Sequence, residues 1–452
     1  MPTNTRHHRH IVLVVLAWVA LTLAACSVSG EQTPPAIQLP EVAVGTCLVA
    51  PDVVLGSINP FVYGVNHGPW AVITDKTLPF AQDAGVTMIR FPGGNWGDEN
   101  DLQPYQIDQF VQLAEQMGAE VSLTVRLFGG SPEQAAALVQ YANVDNDFGI
   151  RYWAIGNEPT LYATSRGAPD YGVEQFNSEW RAFAEAMRAV DASILLIGPE
   201  LHQFGPDLGS TPKDPVGLDW MSAFLEANGD LVDIVSIHRY PFPQGRGGPA
   251  ATVEELVPTS AEWDAIIPYL RGLILEKTGR DLPIAVTEIN SHWSNAIGGV
   301  ATPDSYMNAI WWADVLGRMI KNQVAIVNYF SLQSHPSIGG YGLFSRSEPR
   351  PTYYVYQIYQ QFGENLVFAA CDDPGLGIYA ATDADDRLAV ILINLGSEDV
   401  TRPVIIDSEN YDLTSVWGFD QTDLLHELTL TADEVEQGLE ISGYSIVLLK
   451  YE

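Results

Sequence analysis

Short apolar segments alternate with amphipathic segments along residues 56–362 of the chain. Unbroken apolar runs are typical of strands buried in a parallel sheet, and amphipathic runs are typical of helices that cover such a sheet. Helices are predicted at Gln106–Met117, Val173–Val190 and Ser305–Ile320, among others. The predicted strands are Phe61–Asn66, Val86–Phe91, Glu120–Leu127, Arg151–Ile155, Ile194–Gly198, Ile234–His238, Ile284–Ile289 and Ala325–Phe330.

Strands that alternate with helices in this way predict an α/β fold, a (β/α)8 TIM barrel. An open doubly wound sheet is the alternative. That fold needs a glycine-rich phosphate-binding turn after its first strand, and the segment Gly64–Gly68 does not match one. The barrel is therefore the favoured architecture for residues 56–362.

The pattern changes after residue 362 to alternating and β-branched runs separated by turn residues. Strands are predicted at Leu366–Ala370, Gly377–Ala381, Leu388–Asn394, Thr401–Ile406, Leu413–Trp417 and Tyr444–Leu449. Short strands with these turns predict a C-terminal β-sandwich over residues 363–452. Residues 46–55 are expected to add an N-terminal strand to that sandwich.

The N-terminal segment has the features of a secretory signal. The apolar run Ile11–Leu23 follows two arginines and is shorter than the about 20 residues that span a bilayer. It ends in Leu23-Ala24-Ala25-Cys26, which resembles a bacterial lipobox. We expect residues 1–25 to be a signal peptide, Cys26 to carry lipid, and residues 26–45 to form a tether outside the cytoplasm. An ordinary signal peptide with an incidental cysteine, and hence a secreted protein, is the alternative.

Charge and composition narrow the possible partners. The formal net charge is −34, from 22 Lys and Arg against 56 Asp and Glu, and phosphate contacts need clustered basic side chains. A nucleic-acid partner is therefore not expected, and contact with a membrane is expected only through the lipid. Hydrophobic residues make up 46% of the 452 residues, which is enough for a large core.

Two further cysteines, Cys47 and Cys371, flank the predicted barrel. Outside the cytoplasm a disulfide persists, so a bridge between them is expected, with two free buried thiols as the alternative. No spacing of Cys and His residues suggests a zinc site.

Two glutamates follow apolar strands at the end of the barrel where functional groups gather. Glu158 lies in Trp153-Ala-Ile-Gly-Asn-Glu-Pro159 after the fourth strand, and Glu288 lies in Ala285-Val-Thr-Glu-Ile-Asn290 at the end of the seventh. A single glutamate at the end of a strand is more often a salt-bridge partner than a catalytic group. With these neighbours and strand positions, the chain resembles the clan of retaining glycoside hydrolases built on (β/α)8 barrels, over its whole length after the tether.

The resemblance implies that Glu158 is the acid/base and Glu288 the nucleophile, with the swapped roles as the alternative. Hydrolysis with retention needs one carboxylic acid and one carboxylate about 5 Å apart, and it needs no metal or cofactor. We expect Glu158 to have a raised pKa, helped by the negative charge of Glu288.

Further residues are expected to support this pair or bind a sugar. Arg90 and Tyr240 are expected to aim Glu288, and Asn157 resembles the residue of the clan that bonds the sugar hydroxyl beside the anomeric carbon. The alternative for Arg90 is a structural ion pair in the core, and the alternative for Asn157 is a cap for the loop before Pro159. His238 is expected either to contact the sugar or to lie behind the site.

The segment Arg90-Phe-Pro-Gly-Gly-Asn-Trp96 resembles one in the arabinofuranosidase family of the clan, and the β-xylosidase/iduronidase families share parts of the layout. It places Asn95 and Trp96 among the candidate sugar contacts, and Trp293 is a further candidate for stacking. The substrate implied is an oligo- or polysaccharide, with a pentose-containing glycan as the first expectation. The alternatives are a catalytically silent surface lipoprotein that binds glycans and a transglycosylase that uses the same residues.

Overall fold

The computed structural model describes residues 38–205, 211–242, 251–293, 297–334 and 339–452. The predicted signal peptide and Cys26 lie outside these residues. From Leu39 onward the described chain forms one compact unit, and its first element is strand β1 (Cys47–Ser57). No helix among the described residues is long and apolar enough to reach across a bilayer.

Parallel strands close into the predicted barrel within the described ranges. In order around the barrel they are β2 (Gly64–Asn66), β3 (Met88–Phe91), β4 (Glu120–Val125), β5 (Tyr152–Ile155), β6 (Leu195–Leu201), β7 (Ile234–Arg239), β8 (Ile284–Ile289) and β9 (Ile326–Tyr329). The barrel prediction is therefore confirmed. The first strand is shorter than expected, because Pro60–Tyr63 form a 3-10 helix that the side chain of Asn59 caps by accepting from the Phe61 N–H.

Helices cover the outside of the barrel. They are α1 (Leu78–Asp83), α2 (Trp96–Glu99), α3 (Pro104–Met117), α4 (Pro132–Val139), α5 (Tyr162–Ser165), α6 (Val173–Val190), α7 (Trp220–Asn228), α8 (Val253–Leu256), α9 (Trp263–Thr278), α10 (Tyr306–Lys321) and α11 (Pro351–Tyr359). Helix α3 illustrates why they form: a capping box at Gln103 and Gln106 starts it, and Gly118 ends it in the left-handed conformation, with φ at 66°.

A largely antiparallel sheet follows the barrel. Its order is β14 (Val404–Ile406), β1, β10 (Asn365–Cys371), β11 (Leu376–Thr382), β12 (Leu388–Asn394), β18 (Ile446–Tyr451), β15 (Leu413–Phe419) and β16 (His426–Leu428). The predicted strand at Thr401–Ile406 divides at Pro403, which cannot donate to a ladder. Its first half becomes β13 (Val400–Arg402), which pairs with β17 (Leu439–Ile441) in a separate small sheet.

Both faces of the central strands are buried. Along β12, Ala389, Ile391 and Ile393 belong to the core shared with the barrel, whereas the alternate residues Leu388, Val390 and Leu392 pack in a second core. That second core also contains Val435 of α12 (Ala432–Gly438) and apolar residues of β17. The sheet is therefore packed against the barrel on one face and against a thin second layer on the other.

Strand β1 ties the start of the described chain to this sheet. It pairs antiparallel with β10, in a register that sets Cys47 opposite Cys371, and a disulfide joins the two cysteines. Since 324 residues separate them in sequence, the bridge encloses the whole barrel.

Helix α10 is the main contact between barrel and sheet, and it is buried almost all round. Its carboxylate Asp314 accepts from the Tyr379 hydroxyl of β11 at 2.6 Å, from Ser260 Oγ at 2.6 Å and from Arg318 Nε at 2.7 Å. A buried charge needs such partners, and here the partners come from both parts of the fold.

Candidate active site

The polar residues predicted at the strand ends meet in a cleft of about 520 Å³ at the carboxyl end of the barrel. A volume of this size is typical of small-molecule sites. The described residues that line the cleft are Gly94, Asn95, Glu99, Glu158, Leu161, Ser165, Arg166, His202, Tyr240, Glu288, Trp293, Phe330 and Tyr341.

The two predicted glutamates face each other in this cleft. Glu158 follows β5 and is 7% exposed, and Glu288 lies on β8 and is 4% exposed. A carboxylate oxygen of Glu158, a carboxylate oxygen of Glu288 and a ring nitrogen of His238 all lie within 4.8 Å of one another. The barrel therefore brings together two acidic groups that are far apart in sequence.

Three donors surround the carboxylate of Glu288. Its Oε1 accepts from Arg90 Nη1 at 2.8 Å and from the backbone N–H of Gly94 at 2.8 Å, and its Oε2 accepts from the Tyr240 hydroxyl at 2.9 Å. These donors compensate the buried charge and fix the direction of both oxygens. The expected aiming roles of Arg90 and Tyr240 agree with these contacts.

Gly94 can approach Glu288 because it has no side chain. Its φ is 61°, a left-handed conformation, and a Cβ there would lie 3.2 Å from the ring of Phe330. The second glycine of the segment after β3 therefore places a backbone donor at the carboxylate.

Glu158 is held by two histidines. Its Oε1 lies 2.9 Å from His202 Nδ1 and 3.0 Å from His238 Nδ1. Burial alone would raise the pKa of Glu158, but the charge and hydrogen bond of His202, together with those of His238, outweigh burial and hold the pKa below its ordinary value. The expectation of a raised pKa in the free protein is therefore wrong, because it took account of the charge of Glu288 but not of the two histidines.

His238 lies between carboxylates and not in the cleft wall. It is fully buried, and its Nε2 lies 3.0 Å from Glu200 Oε2. Burial would lower the pKa of His238, but the charge of Glu288 and the hydrogen bonds to Glu158 and Glu200 raise it to about 10. Because both ring nitrogens face carboxylate oxygens, the imidazolium form satisfies both contacts. His238 thus supports the site from behind, and the expected sugar contact is not available to it.

Arg90, expected to aim Glu288, and Asn157, expected to contact the sugar, are likewise fully buried. Besides Glu288, Arg90 donates to Asn66 Oδ1 at 3.0 Å, Asn157 Oδ1 at 2.9 Å and Glu200 Oε2 at 2.7 Å. The side-chain NH₂ of Asn157 donates to Asn95 Oδ1 at 3.3 Å. In the structure both side chains therefore bind protein groups behind the cleft.

The remaining candidates differ in position. Asn95 and Trp293 line the cleft, and the Trp293 side chain is 43% exposed and accessible for stacking. Trp96 begins α2 and packs against the barrel core, so it is not among the described residues that line the cleft. The sequence pattern predicts no helix in this segment, so it did not indicate that Trp96 begins one.

Sequence reasoning assigned no role to three residues that shape the site. Glu200 lies near the end of β6 and His202 directly follows this strand, and two polar residues after an apolar run are the available signal. Asp98 of α2 is fully buried and accepts from the backbone N–H of Leu127 at 2.7 Å and of Asn157 at 3.2 Å. Asp98 thereby anchors the loop that carries Glu158, and nothing in its sequence surroundings marks it.

Two of the residues in this network also have a strained backbone. Glu158 and Glu200 adopt left-handed conformations, with φ of 48° and 59°, and the Glu158 N–H donates to the Glu200 carbonyl at 3.1 Å. Such conformations cost about 1–3 kcal/mol each and occur mostly at functional sites.

The cluster of Glu158, His238 and Glu288 is also the group of described side chains whose spacing suits a metal ion. Its ligand atoms are, however, already engaged by donors from within the chain. Arg90 places a cation 2.8 Å from Glu288, and both nitrogens of His238 bond carboxylates. These side chains therefore form a network of paired charges within the protein.

Comparisons with known proteins agree with this architecture, although no family model matches the chain. Endoglucanase A of Paenibacillus lautus is 26% identical over 84% of this chain and 61% of its own length. An exo-α-(1→6)-L-arabinofuranosidase of Bifidobacterium longum is 25% identical over 42% of this chain and 42% of its own length. The chain thus spans less than two thirds of either curated relative.

Among solved structures, a GH51 α-L-arabinofuranosidase from Thermotoga petrophila superposes with a TM-score of 0.72. The match covers 90% of this chain and 100% of that chain, at 17% identity. These findings confirm the barrel fold and the resemblance to barrel glycoside hydrolases that the sequence indicates.

Proposed function

We propose that this chain is a glycoside hydrolase that cleaves glycosidic bonds with retention of configuration, through a glycosyl-enzyme intermediate. The observation that carries the proposal is the pair of buried carboxylates whose oxygens lie within 4.8 Å across the cleft. Retaining enzymes hold their carboxyl groups about 5–5.5 Å apart, whereas inverting enzymes need about 6.5–9.5 Å to admit a water molecule.

The surroundings of the two glutamates favour one assignment of roles. Glu288 is held by Arg90, Gly94 and Tyr240, which suits a carboxylate that attacks the anomeric carbon. Glu158 Oε1 is bound by the rings of His202 and His238, and its Oε2 has no hydrogen-bond partner among the described residues, which leaves that oxygen available to a leaving group. In the swapped assignment Arg90 would oppose protonation of Glu288.

The reaction then runs in two balanced steps. Glu288 forms a bond to the anomeric carbon while Glu158 gives its proton to the leaving oxygen. Glu158 next removes a proton from water, whose oxygen displaces Glu288 and restores both side chains. If a sugar hydroxyl replaces water in the second step, the same residues carry out transglycosylation.

We place the substrate among oligo- and polysaccharides, with a pentose-containing glycan first. The segment after β3 and the arabinofuranosidases among the relatives support the pentose. Endoglucanase A, by its name a glucan-cleaving enzyme, supports a hexose as the second candidate.

A panel of chromogenic glycosides tests the proposal. The panel contains pentosides and hexosides in furanoside and pyranoside forms, together with uronides. We expect turnover of at least one glycoside, and the first product seen by NMR should keep the anomeric configuration of the substrate. An inverted first product would refute the retaining mechanism. Binding without any turnover would support the silent glycan-binding protein, and transfer to an added acceptor sugar would reveal transglycosylation.

Glu288→Ala should lower turnover of activated glycosides by about a thousandfold or more, because no group then attacks the anomeric carbon. Initial rates with the best substrate of the panel measure the loss. Added azide should restore activity and give a product of opposite configuration. Glu99→Ala, which alters an exposed carboxylate in the same cleft wall, is the matched control and should keep most of the activity. A Glu288→Ala variant with nearly normal rates would remove this residue as nucleophile.

Glu158→Ala should discriminate between leaving groups. A substrate with a poor leaving group should lose about 10²–10⁴-fold in kcat/KM, because departure needs the proton. A substrate with an acidic phenol as leaving group should lose far less in the first step. Paired kcat/KM measurements on the two substrates give the comparison, and equal losses would contradict an acid role for Glu158.

We propose further that the chain is anchored outside the cytoplasm through lipid on Cys26, on the strength of Leu23-Ala24-Ala25-Cys26. A bacterial expression host fed a labelled fatty acid should incorporate label into the wild-type chain and not into Cys26→Ser. The wild-type chain should also partition into detergent. A wild-type chain without label in the membrane fraction would exclude the anchor.

A further inference from the structure

One oxygen of the buried Glu200 accepts hydrogen bonds from two cations. Glu200 Oε2 lies 2.7 Å from Arg90 Nη2 and 3.0 Å from His238 Nε2. The other oxygen, Oε1, accepts from Thr287 Oγ1 at 2.9 Å, and the backbone N–H of Glu200 donates to Ser236 Oγ at 2.9 Å. Glu200 is fully buried and does not line the cleft.

Each of those cations reaches one of the two cleft carboxylates on its opposite side. Arg90 uses Nη1 to hold Glu288 at 2.8 Å, and His238 uses Nδ1 to contact Glu158 at 3.0 Å. Glu200 therefore contacts both of the cations that hold the two cleft glutamates.

We propose that Glu200 is a positioning residue for both glutamates: it fixes His238 as an imidazolium directed at Glu158, and it fixes the guanidinium of Arg90 directed at Glu288. The roles of Glu158 and Glu288 rest on the proposed function, whereas the link from Glu200 to His238 and Arg90 does not.

Charge balance explains why a carboxylate is needed at this position. The ionisable groups that face His238 are Glu158 after β5, Glu200 on β6 and Glu288 on β8, and Arg90 on β3 lies just beyond them. The arginine charge and the His238 hydrogen bond overcome burial and lower the pKa of Glu200 to about 2, so Glu200 is ionised at neutral pH.

An amide at position 200 would leave Arg90 Nη2 and His238 Nε2 without a negative partner. Since Glu200 contributes both a hydrogen bond and a charge to the raised pKa of His238, the pKa of His238 must fall in such a variant. The imidazolium is then lost at lower pH than in the wild type.

NMR titration of Glu200→Gln in protein labelled with ¹⁵N-histidine tests the first link directly. The His238 signal, identified by its absence in His238→Gln, should show an imidazolium to well above neutral pH in the wild type. In Glu200→Gln it should titrate at least one pH unit lower. The matched control is Glu262→Gln, which removes the carboxylate that pairs with the neighbouring Arg239 and should leave the His238 titration unchanged. An unshifted His238 in folded Glu200→Gln would overturn the proposal.

Kinetics of the same variant test the second link. We expect kcat to fall about ten- to a hundredfold, because small misplacements of reacting groups have effects of that size. KM should change less than about twofold, since Glu200 does not reach the cleft. The loss of kcat should appear with substrates that have good leaving groups as well as with those that have poor ones. The reason is that Arg90 positions Glu288, the proposed nucleophile, which both kinds of substrate need. A loss confined to poor leaving groups would refute the Arg90 link.

Thr287→Val provides a second variant in case Glu200→Gln does not fold. It removes one hydrogen bond to Glu200 and keeps the charge, so His238 should stay protonated while kcat falls a few-fold. An unchanged kcat in Thr287→Val would count against the positioning role. If the NMR shift occurs in a chain that cleaves no glycoside, the proposed function fails and the link from Glu200 to His238 stands.

Discussion

The structure of the cleft depends on the compensation of buried negative charge. Glu158, Glu200 and Glu288 lie within one hydrogen-bonded network, and Arg90 and His238 are the fully buried cations that separate them. Removing one partner of such a buried pair costs about 3–5 kcal/mol, since the other charge stays buried without compensation. The network is therefore held as a unit, and the position of each glutamate depends on the others.

The barrel makes this network possible through strand register. Asn66 pairs with Arg90 between β2 and β3, and His238 pairs with Glu288 between β7 and β8, so polar side chains stand at one level at the strand ends. Below them, Met88, Ile197 and Ile326 belong to an apolar cluster inside the barrel, which keeps water from the lower side of the charges. The sheet that packs on α10 and the disulfide that joins β1 to β10 support the barrel from outside.

Much of this was predictable from the sequence, and the failures have identifiable causes. Unbroken apolar runs located the barrel strands, and Glu158 and Glu288 stood out because each follows such a run. Glu200 follows a run as well, but its role comes from Arg90 and His238, which lie 110 and 38 residues away and which no local pattern connects to it. Pro403 divides the predicted strand Thr401–Ile406 between two sheets. Which sheet each half joins depends on the strands that lie beside it in the fold, and the local sequence does not show these.

In the proposed reaction, the lowered pKa of Glu158 limits when this residue can work as an acid. In the free protein, the pKa of Glu158 is lowered and that of His238 is raised, so a protonated His238 lies beside an ionised Glu158. His202 lines the cleft and its side chain is 23% exposed, so a bound sugar would cover it. Removal of water disfavours the ionised carboxylate of Glu158 and so raises the pKa of this residue. In the proposed intermediate, Glu288 is bonded to the sugar and its charge is gone, while His238 remains to favour an ionised Glu158, which is the form that would remove a proton from water. Under the proposed mechanism, Glu158 is then an acid only while the substrate covers it and a base only after the first bond has broken, so burial by the substrate and the placement of His238 set the order of the two steps.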